Sequence, residues 1–373
     1  MYSYKLIFSA VCMILFLACN EKNPADPKIA LSEKFQNALD DARKTYNLIG
    51  LSAAVIIPDG EDWAGCSGNS HEDVPLSPDM LFHAGSSGKN YTAALTLALV
   101  EENKLKLEDS LYKWLPEYSN VDSNITILQL LNHTSGLYNY TGDQEVWDAV
   151  FADPHKVWAP EEIITQFLKE PYFSPGQGWH YSNANYVLLG MIIKQASGSE
   201  ISDELRRRFF DPFELNNTFF AQEEAIPLDM AHCWYDYNQD GVLDDMSFMP
   251  MNSFNSFGWT AGSIIANAED LAKWAGLLYG GHILSVSSLE IMLTFYPRQD
   301  PESTGYGLGT ERYELHERIL YGHSGGGFYH SVFMYLLESG ISIAVLSNQG
   351  TSHILDTAGI LLDVYLIHHN QAE

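Results

Sequence analysis

The sequence predicts an α+β fold: one antiparallel sheet with flanking helices, built from both ends of the chain, with a mainly helical lobe inserted at about residues 80–250. Strand-like segments separated by turn residues occur at residues 51–68 and again from about residue 303. Between them, most periodic segments have helical spacing. No internal repeat divides the 373 residues, so we expect both strand-rich ends to share one sheet in a domain at residues 31–373.

The individual elements follow in order along the chain. Apolar residues recur at helical spacing in residues 32–47, and a β-hairpin is expected around the Pro-Asp-Gly turn at residues 58–60. The same periodicity predicts further helices at residues 86–103, 126–132, 184–196 and 200–209. Strand-like segments then fill the chain from about residue 303, and a closing helix is expected at residues 353–369.

The first 19 residues have the composition of an export signal. Lys5 is their only charged residue, an apolar run follows it, and small residues precede Cys19. The run is too short and ends too abruptly for a membrane-spanning helix. The Leu-Ala-Cys ending resembles a bacterial lipobox, which predicts lipidation of Cys19, a polar tether at residues 20–30 and membrane attachment as a periplasmic or outer-membrane lipoprotein. Phe16 stands where a lipobox usually has Leu, so ordinary signal cleavage stays open.

The composition of the chain excludes some partners. Acidic residues number 48 against 20 basic ones, for a formal net charge of −28, so nucleic acid and anionic lipid surfaces are poor partners. Cys66 and Cys233 would lie in an oxidising compartment, where one bridge is possible, but the sequence does not decide between a bridge and two free thiols. We expect a monomer that needs no cofactor.

The segment LFHAGSSGKNY, residues 81–91, holds the first candidate for catalysis. Ser86 and Lys89 are three residues apart, nearly one helical turn, at the mouth of a helix that is apolar on every side. A lysine in a buried helix is costly unless it has a function or a partner. The same Ser-x-x-Lys spacing recurs at Ser110 and Lys113, but there a solvated first turn explains it.

Two later segments add polar groups that a cleft requires. Tyr181, Ser182 and Asn183 lie between a Pro-Gly loop and an apolar helix, which would direct them into a cleft at the mouth of that helix. A second Tyr-Ser-Asn, at residues 118–120, lies in a polar loop with no buried element behind it. His323, Ser324, Gly325 and Gly326 precede a strand, where glycines allow a close approach of the backbone to a ligand.

Together, in this order, the three segments resemble the serine penicillin-recognising family, which includes class C β-lactamases and DD-carboxypeptidases. The stretches at residues 101–118, 125–137 and 260–281 are also similar to that family. The resemblance implies a β-lactamase/transpeptidase-like fold and a serine hydrolase that forms an acyl-enzyme. Its substrate would be a D-Ala-D-Ala-type peptide or a β-lactam, or alternatively an ester or a D-amino-acid amide.

The resemblance also assigns roles to residues. Ser86 would be the nucleophile, with Lys89 and Tyr181 as candidates for the base, and Asn183 would bind Lys89 and the substrate. The backbone N–H groups of Ser86 and Gly326 would form the oxyanion site, with His323, Ser324 and Gly325 binding substrate beside it. Many relatives carry lysine at the His323 position, whereas a histidine there would offer an anionic substrate its charge only at acidic pH.

Two other interpretations use the same residues. Residues 322–326 spell Gly-x-Ser-x-Gly, the nucleophile elbow of α/β-hydrolases with Ser324 as nucleophile, but that elbow requires a helix directly after the serine. A hydrolase relative that has lost turnover would instead act as a ligand-binding protein. Labelling with a fluorescent penicillin or a fluorophosphonate distinguishes Ser86, Ser324 and an inactive protein.

A possible metal site lies in the segment DYNQDGVLDD, residues 236–245. Asp236, Asn238 and Asp240 have the offsets of an EF-hand loop, but its twelfth position is Ser247, and only Asp244 or Asp245 stands near enough to replace the usual Glu. A structural Ca²⁺ and a solvated acidic turn both fit this pattern. We expect no metal in the chemistry itself.

Overall fold

The structure is a computed structural model that describes residues 27–370 except 59, 239, 298–302 and 351–352. The predicted signal sequence, Cys19 and the first part of the tether lie outside the described residues. The helices are α1 Pro27–Thr45, α2 Gly88–Glu101, α3 Ile127–Leu131, α4 Gln144–Ala152, α5 Pro160–Phe167, α6 Asn183–Ser197, α7 Ile201–Leu205, α8 Asn252–Gly258, α9 Ala268–Tyr279, α10 Val286–Met292 and α11 Ile354–Asn370.

The strands are concentrated at the two ends of the chain, with short ones between them. They are β1 Gly50–Ile56, β2 Trp63–His71, β3 Val74–Pro75, β4 Phe82–His83, β5 Thr218–Phe220, β6 Trp234–Tyr235, β7 Asp244–Asp245, β8 Ile264–Ala266, β9 Tyr296–Pro297, β10 Gly305–Tyr306, β11 Glu311–Leu315, β12 Arg318–Gly325, β13 His330–Leu336 and β14 Ser342–Ser347.

One antiparallel sheet contains strands from both chain ends, as predicted. In the described residues its strand order is β3-β2-β1-β14-β13-β12-β11-β10-β9. The first long strand pairs with the last one, with Leu51 opposite Ser347 and Ile56 opposite Ser342. The mainly helical lobe lies between them in sequence, so the predicted inserted-lobe architecture is confirmed.

The two faces of the sheet pack against different layers. On β13, Val332 and Met334 belong to the core that α1 and α11 cover, whereas Phe333 and Tyr335 belong to the core shared with α2, α6 and α9. This alternation follows from the two-residue period of a strand. His323 is paired with Phe333 across β12 and β13, so its side chain lies on the face towards the helical lobe.

Several local features differ from the predicted ones. The helix expected at residues 86–103 begins as a 3₁₀ turn at Gly85–Ser87 before α2, and the helix expected at 200–209 is α7 followed by a π-helical turn at Arg206–Phe210. The small sheet β4-β8-β5 was not predicted, because its strands have only two or three residues and carry no periodicity. Cys66 and Cys233, for which the sequence left both a bridge and free thiols open, are free thiols.

In the acidic segment that begins at Asp236, side-chain oxygens accept backbone N–H groups of the same segment. The Asp236 carboxylate accepts the N–H groups of Asp240 and Gly241, and Asn238 accepts the N–H of Asp240 as well. Among the described residues, no cluster of three or more His, Cys, Asp or Glu side chains is arranged to hold a metal ion. Within the same residues, none of the helices combines the length and apolar character needed to cross a bilayer.

Candidate active site

Ser86 and Lys89 meet at the mouth of α2. Ser86 is half-buried in the 3₁₀ turn, and Lys89, one turn later, is fully buried with Nζ 3.0 Å from Ser86 Oγ. Lys89 Nζ also donates to the carbonyl oxygen of Ala261 at 2.6 Å. Burial lowers the pKa of the Lys89 ammonium well below its usual value, and the negative charge of Glu311 only partly opposes that shift. The lysine is therefore poised to lose its proton beside the serine.

The turn that carries Ser86 lies directly against the end of β12, and glycines make this possible. Gly85 has φ +51°, and a Cβ atom there would lie 2.8 Å from the carbonyl oxygen of Gly326. A Cβ on Gly325 would lie 2.0 Å from the carbonyl oxygen of Ala84. Both positions therefore require glycine.

Two serine hydroxyls hold the turn and the strand together. Ser87 Oγ donates to the carbonyl oxygen of His323 at 3.0 Å, and Ser331 Oγ donates to that of Ala84 at 2.6 Å. Ser87 and Ser331 are buried. These bonds position the backbone of Ser86 beside that of Gly326, the pair that the resemblance assigned to the oxyanion site.

Tyr181 lies just before α6 and close to the lysine. Lys89 Nζ is 4.9 Å from the centre of the half-buried Tyr181 ring. The other side of the tyrosine is supported by His133, whose ring centre is 4.4 Å away. His133 Nδ1 accepts the Ser182 N–H at 3.2 Å and the Asn185 side-chain amide at 2.8 Å, so the start of α6 determines the orientation of this ring. Lys89, Tyr181 and Ser86 thus lie in one cluster.

Asn183 has different partners from the expected ones. Its side-chain amide donates to Thr141 Oγ1 at 2.8 Å and to Asn139 Oδ1 at 3.3 Å, whereas Lys89 binds Ser86 and Ala261. The reason is the loop before α4, which brings Asn139 and Thr141 over the first turn of α6. In this structure Asn183 positions that loop, and the predicted bond to Lys89 is not formed.

His323 also differs from the expectation that it faces the cleft. Its side chain is 1% exposed, and its Nε2 lies 3.0 Å from Tyr306 Oη. Burial raises the pKa of Tyr306 well above its usual value, so the phenol keeps its proton. His323 Nδ1 donates to the carbonyl oxygen of Ser324 at 2.6 Å. The His323 side chain therefore lies buried between Tyr306 and the backbone of Ser324 and does not face the cleft.

Ser324 is bound by the carboxylate of Glu311 from the adjacent strand β11. Glu311 Oε2 accepts the Ser324 N–H and hydroxyl, each at 2.9 Å, and lies 3.8 Å from His323 Nδ1. Ser324 lies in β12, and the next element after it is the strand β13, not a helix. The nucleophile-elbow interpretation is therefore wrong for this chain.

The second copies of both short motifs lie at the surface. Lys113 Nζ binds Asp109 at 2.7 Å with 49% of its side chain exposed, as a solvated turn requires. Asn120 donates to the carbonyl oxygen of Leu168 in a loop. The first copy of each motif differs from the second because it precedes a buried helix, and not because of its own residues.

An aromatic cavity of about 320 Å³ opens beyond Gly326. It is lined by Gln144, Trp147, Asp148, Phe151, Tyr235, Asp236, Tyr237, Phe254, Gly327 and Phe328. Phe254 packs against Phe328 with ring centres 5.1 Å apart. Phe254 also contacts His83, with ring centres 5.7 Å apart. His83 is buried, and both of its ring nitrogens lack a hydrogen-bond partner. The cavity can hold an apolar or aromatic group beside Gly327.

Sequence reasoning missed four residues of this site: Ala261, His133, Tyr306 and Glu311. Ala261 and His133 lie in stretches at residues 260–281 and 125–137 that were recognised as family-like, so those stretches contained a signal. No sequence signal marks Glu311 or Tyr306, because only sheet pairing brings β10 and β11 beside β12.

Comparison with known proteins places this arrangement in context. The family model described as Beta-lactamase matches residues 35–363. Penicillin-binding protein 4* of Bacillus subtilis is 30% identical over 74% of this chain, and the match spans 63% of that protein's length. A D-stereospecific amidohydrolase from Streptomyces is 28% identical, with a TM-score of 0.77 over 88% of this chain and 98% of its own. A D-amino acid amidase from Ochrobactrum anthropi is 25% identical, with a TM-score of 0.79 over 91% of this chain and 99% of its own.

Proposed function

Because this chain belongs to the Beta-lactamase family, we propose that it is a serine hydrolase that forms an acyl-enzyme on Ser86 and cleaves amide, peptide or ester bonds after a D-amino acid. One observation carries this proposal. A buried lysine whose pKa is lowered lies at hydrogen-bond distance from the hydroxyl of a half-buried serine. The choice of substrate is supported by the two structural relatives, which are a D-stereospecific amidohydrolase and a D-amino acid amidase.

The acylation step begins with the neutral form of Lys89. Its Nζ takes the proton of Ser86 Oγ as that oxygen attacks the substrate carbonyl carbon. The tetrahedral oxyanion accepts the N–H groups of Ser86 and Gly326, whose backbones the Ser87 and Ser331 hydroxyls hold together. Tyr181 then gives its phenolic proton to the leaving nitrogen or oxygen, the carbon-to-leaving-group bond breaks, and Lys89 returns a proton to the tyrosine.

Hydrolysis of the acyl-enzyme repeats these steps with water as the nucleophile. Water gives one proton to the Lys89–Tyr181 pair as its oxygen attacks the ester carbon, and Ser86 Oγ regains a proton as it leaves. The His133 ring maintains the position of Tyr181 throughout, because its Nδ1 is held by two donors from the start of α6. No step needs a metal or a cofactor.

The aromatic cavity would bind the acyl part of the substrate. It begins at Gly327, one residue beyond the proposed oxyanion donor, so the side chain of the D-amino acid would extend into it. Rings of Trp147, Phe254 and Phe328 would contact an apolar or aromatic side chain. The carboxylates of Asp148 and Asp236 at its wall would favour a free amino group on the same residue.

The experiment treats purified protein with a fluorophosphonate probe and maps the labelled residue by mass spectrometry. A D-alanyl-D-alanine peptide, a D-amino-acid amide, a β-lactam and a nitrophenyl ester are then assayed side by side. Label on Ser86 together with turnover of a D-aminoacyl substrate is the expected result. Absence of both label and turnover would indicate the alternative, a ligand-binding relative without activity.

The location and assembly of the protein are part of the proposal. The export signal and Cys19 would place the domain at residues 31–373 in the cell envelope, attached by a lipid. Replacing Cys19 by Ala should move the protein from the membrane fraction to the soluble exported fraction, and an unchanged soluble distribution would indicate ordinary cleavage. The predicted monomer is tested by light scattering.

A further inference from the structure

We propose that the aromatic cavity selects acyl parts that carry a cation at the end of a long side chain, such as D-arginyl and D-lysyl groups. The assignment of the cavity to the acyl part rests on the proposed function. The choice of a cation comes from the chemistry of the cavity wall, which combines aromatic rings with two carboxylates. The volume of about 320 Å³ is within the range of small-molecule pockets, about 300–1,000 Å³.

Four aromatic rings form a closed circuit in this wall. The ring centre of Trp147 is 6.0 Å from that of Phe151 and 6.3 Å from that of Phe254. Phe328 completes the circuit, with ring-centre distances of 5.9 Å to Phe151 and 5.1 Å to Phe254. The ring of Tyr237 lies 5.5 Å from that of Phe151 at an interplanar angle of 90°. Aromatic faces carry partial negative charge, and groups of rings of this kind bind ammonium and guanidinium groups.

Two carboxylates line the same cavity, and both are bound by neutral groups. Asp148 Oδ1 accepts the side-chain amide of Gln144 at 2.9 Å. Asp236 accepts the backbone N–H groups of Asp240 and Gly241, each at 3.0 Å. Within the described part of the chain, the cavity lining includes no lysine, arginine or histidine. These carboxylates are therefore available to a cation that enters the cavity.

The mixed wall decides between an apolar ligand and a cationic one. A purely apolar side chain would pack against the rings but would also cover the carboxylates, and burying a charge without a partner is costly. An arginine or lysine side chain instead places its apolar stem against the rings and its charged head at a carboxylate. The net charge of −28 also attracts cations to the protein surface. A long cationic side chain thus satisfies both parts of the wall.

The position of Asp148 favours a side-chain cation over the α-amino group of the substrate. A Cβ atom on Gly327, the residue after the proposed oxyanion donor, would lie 3.3 Å from the Phe254 ring. Phe254 in turn packs against Trp147, which precedes Asp148 on α4. The contacts therefore lead from Gly327 through the Phe254 ring to α4. A long side chain spans such a layer of rings, whereas an α-amino group lies next to the scissile carbonyl.

The test compares a D-arginyl amide with the D-citrullinyl amide, whose side chain has the same length and shape but no charge. We expect the wild-type ratio of kcat/KM, arginyl over citrullinyl, to be about tenfold or more, because the rings and the carboxylate both attract the cation. D148N keeps an oxygen that can accept the Gln144 amide but removes the charge, so the ratio should fall about fivefold. Effects on Lys89 and Tyr181 cancel in the ratio, because both substrates use the same proton transfers.

Asp153→Asn is the matched control for a lost surface charge. Asp153 is also exposed, directly follows α4 and accepts the N–H of His155, but it does not line the cavity, so its ratio should equal the wild-type value. A wild-type ratio near one, or an unchanged ratio in D148N, overturns the inference. Equal losses with both substrates in D148N would mean that this carboxylate binds the shared α-amino group, which overturns the inference as well.

A binding measurement separates the cavity from the chemistry. Titration calorimetry gives the affinities of D-argininamide and D-citrullinamide for the Ser86→Ala variant, which has no nucleophile. We expect D-argininamide to bind about tenfold more tightly, and D148N in the same background to reduce this difference about fivefold. Absence of Ser86 labelling and of turnover in the wild type would overturn the proposed function alone. Equal affinities for the two amides would overturn the inference about the cavity.

Discussion

Lys89 Nζ lies 3.0 Å from Ser86 Oγ, and the lysine that carries it has no exposed surface. At this distance the weak nucleophile Ser86 can give its proton to Lys89, a base whose charged form is disfavoured by burial. The carbonyl oxygen of Ala261, which accepts a second bond from Nζ, prevents the lysine from moving away. This relationship leads to the first two predictions.

Replacing Ser86 by Ala should abolish fluorophosphonate labelling and lower kcat by about 10³-fold or more, because the variant has no oxygen to form the acyl-enzyme. The fold should persist, since one hydrogen bond is worth about 1 kcal/mol. Ser110→Ala, in the second Ser-x-x-Lys, is the matched control and should keep wild-type labelling. Turnover at the wild-type rate in Ser86→Ala would contradict the assignment.

The pH dependence should report the deprotonation of Lys89. Because the base is the neutral amine, kcat/KM should rise with pH as Lys89 loses its proton, at a pH below the usual lysine range. Lys89→Arg keeps a cation that cannot deprotonate, so it should lose activity by about 10²-fold or more at every pH. Lys113→Arg is the control. An active Lys89→Arg enzyme with the wild-type profile would exclude Lys89 as the base.

Tyr181→Phe should affect amides more than activated esters. The variant keeps the ring against His133 and removes only the phenol that protonates the leaving group. For an amide we expect a loss of about 10²-fold or more in kcat, whereas a nitrophenolate leaves without a proton and should be affected less. Tyr118→Phe, from the second Tyr-Ser-Asn, should change neither. Equal losses with both substrates would mean that Tyr181 acts elsewhere in the cycle.

His83 should make stability depend on pH. Burial without a partner lowers the pKa of His83 from 6.5 to about 4. Between these values the unfolded chain binds a proton that the folded one does not, so the free energy of unfolding falls as pH drops from about 6.5 to 4, by about 3 kcal/mol in total. The His83→Leu variant should lack this pH-dependent contribution to the free energy of unfolding.

Urea unfolding at pH 7.5 and pH 4.5 measures the effect of His83. Other groups titrate in the same range, so the informative quantity is the difference between the wild-type and variant pH dependences. His155→Leu, at an exposed position, controls for the loss of an ordinary histidine. Identical pH dependence in the wild type and in His83→Leu would contradict the prediction.

The aromatic cavity should determine preference for the acyl part. Phe254→Leu removes one ring from its wall, so kcat/KM for a D-phenylalanyl amide should fall about tenfold relative to that for a D-alanyl amide. Tyr112→Leu, an aromatic residue 67% exposed elsewhere, should leave the ratio unchanged. An unchanged ratio in Phe254→Leu would mean that the acyl side chain lies outside the cavity.

Much of the fold could be predicted from local pattern. Helical spacing located α2 and α6 closely, and strand-like texture at both chain ends predicted one shared antiparallel sheet, in which the structure pairs β1 with β14. The small sheet β4-β8-β5 could not be predicted, because its strands are too short for a period to show. The π-helical turn after α7 likewise has no sequence signal that we recognise.

The candidate site was predictable only where a residue carries its own signal. Ser86 and Lys89 stand in an apolar helix, so a buried lysine beside a serine is visible in the sequence itself. The partners of Asn183 were not predictable, since the loop that supplies Asn139 and Thr141 is 42 to 44 residues away. The orientation of His323 depends on Tyr306, from a strand that reaches it only through sheet pairing.

The sequence by itself determined the order of the elements, the serine and lysine at the mouth of α2 and the glycines of β12, because those features depend on neighbouring residues. Only the tertiary structure decided which charges surround the reacting atoms. Glu311 reaches Ser324 from an adjacent strand, and burial both favours the neutral form of Lys89 and encloses His323. Electrostatic energies depend on distance and burial in three dimensions, which the linear spacing of residues does not contain.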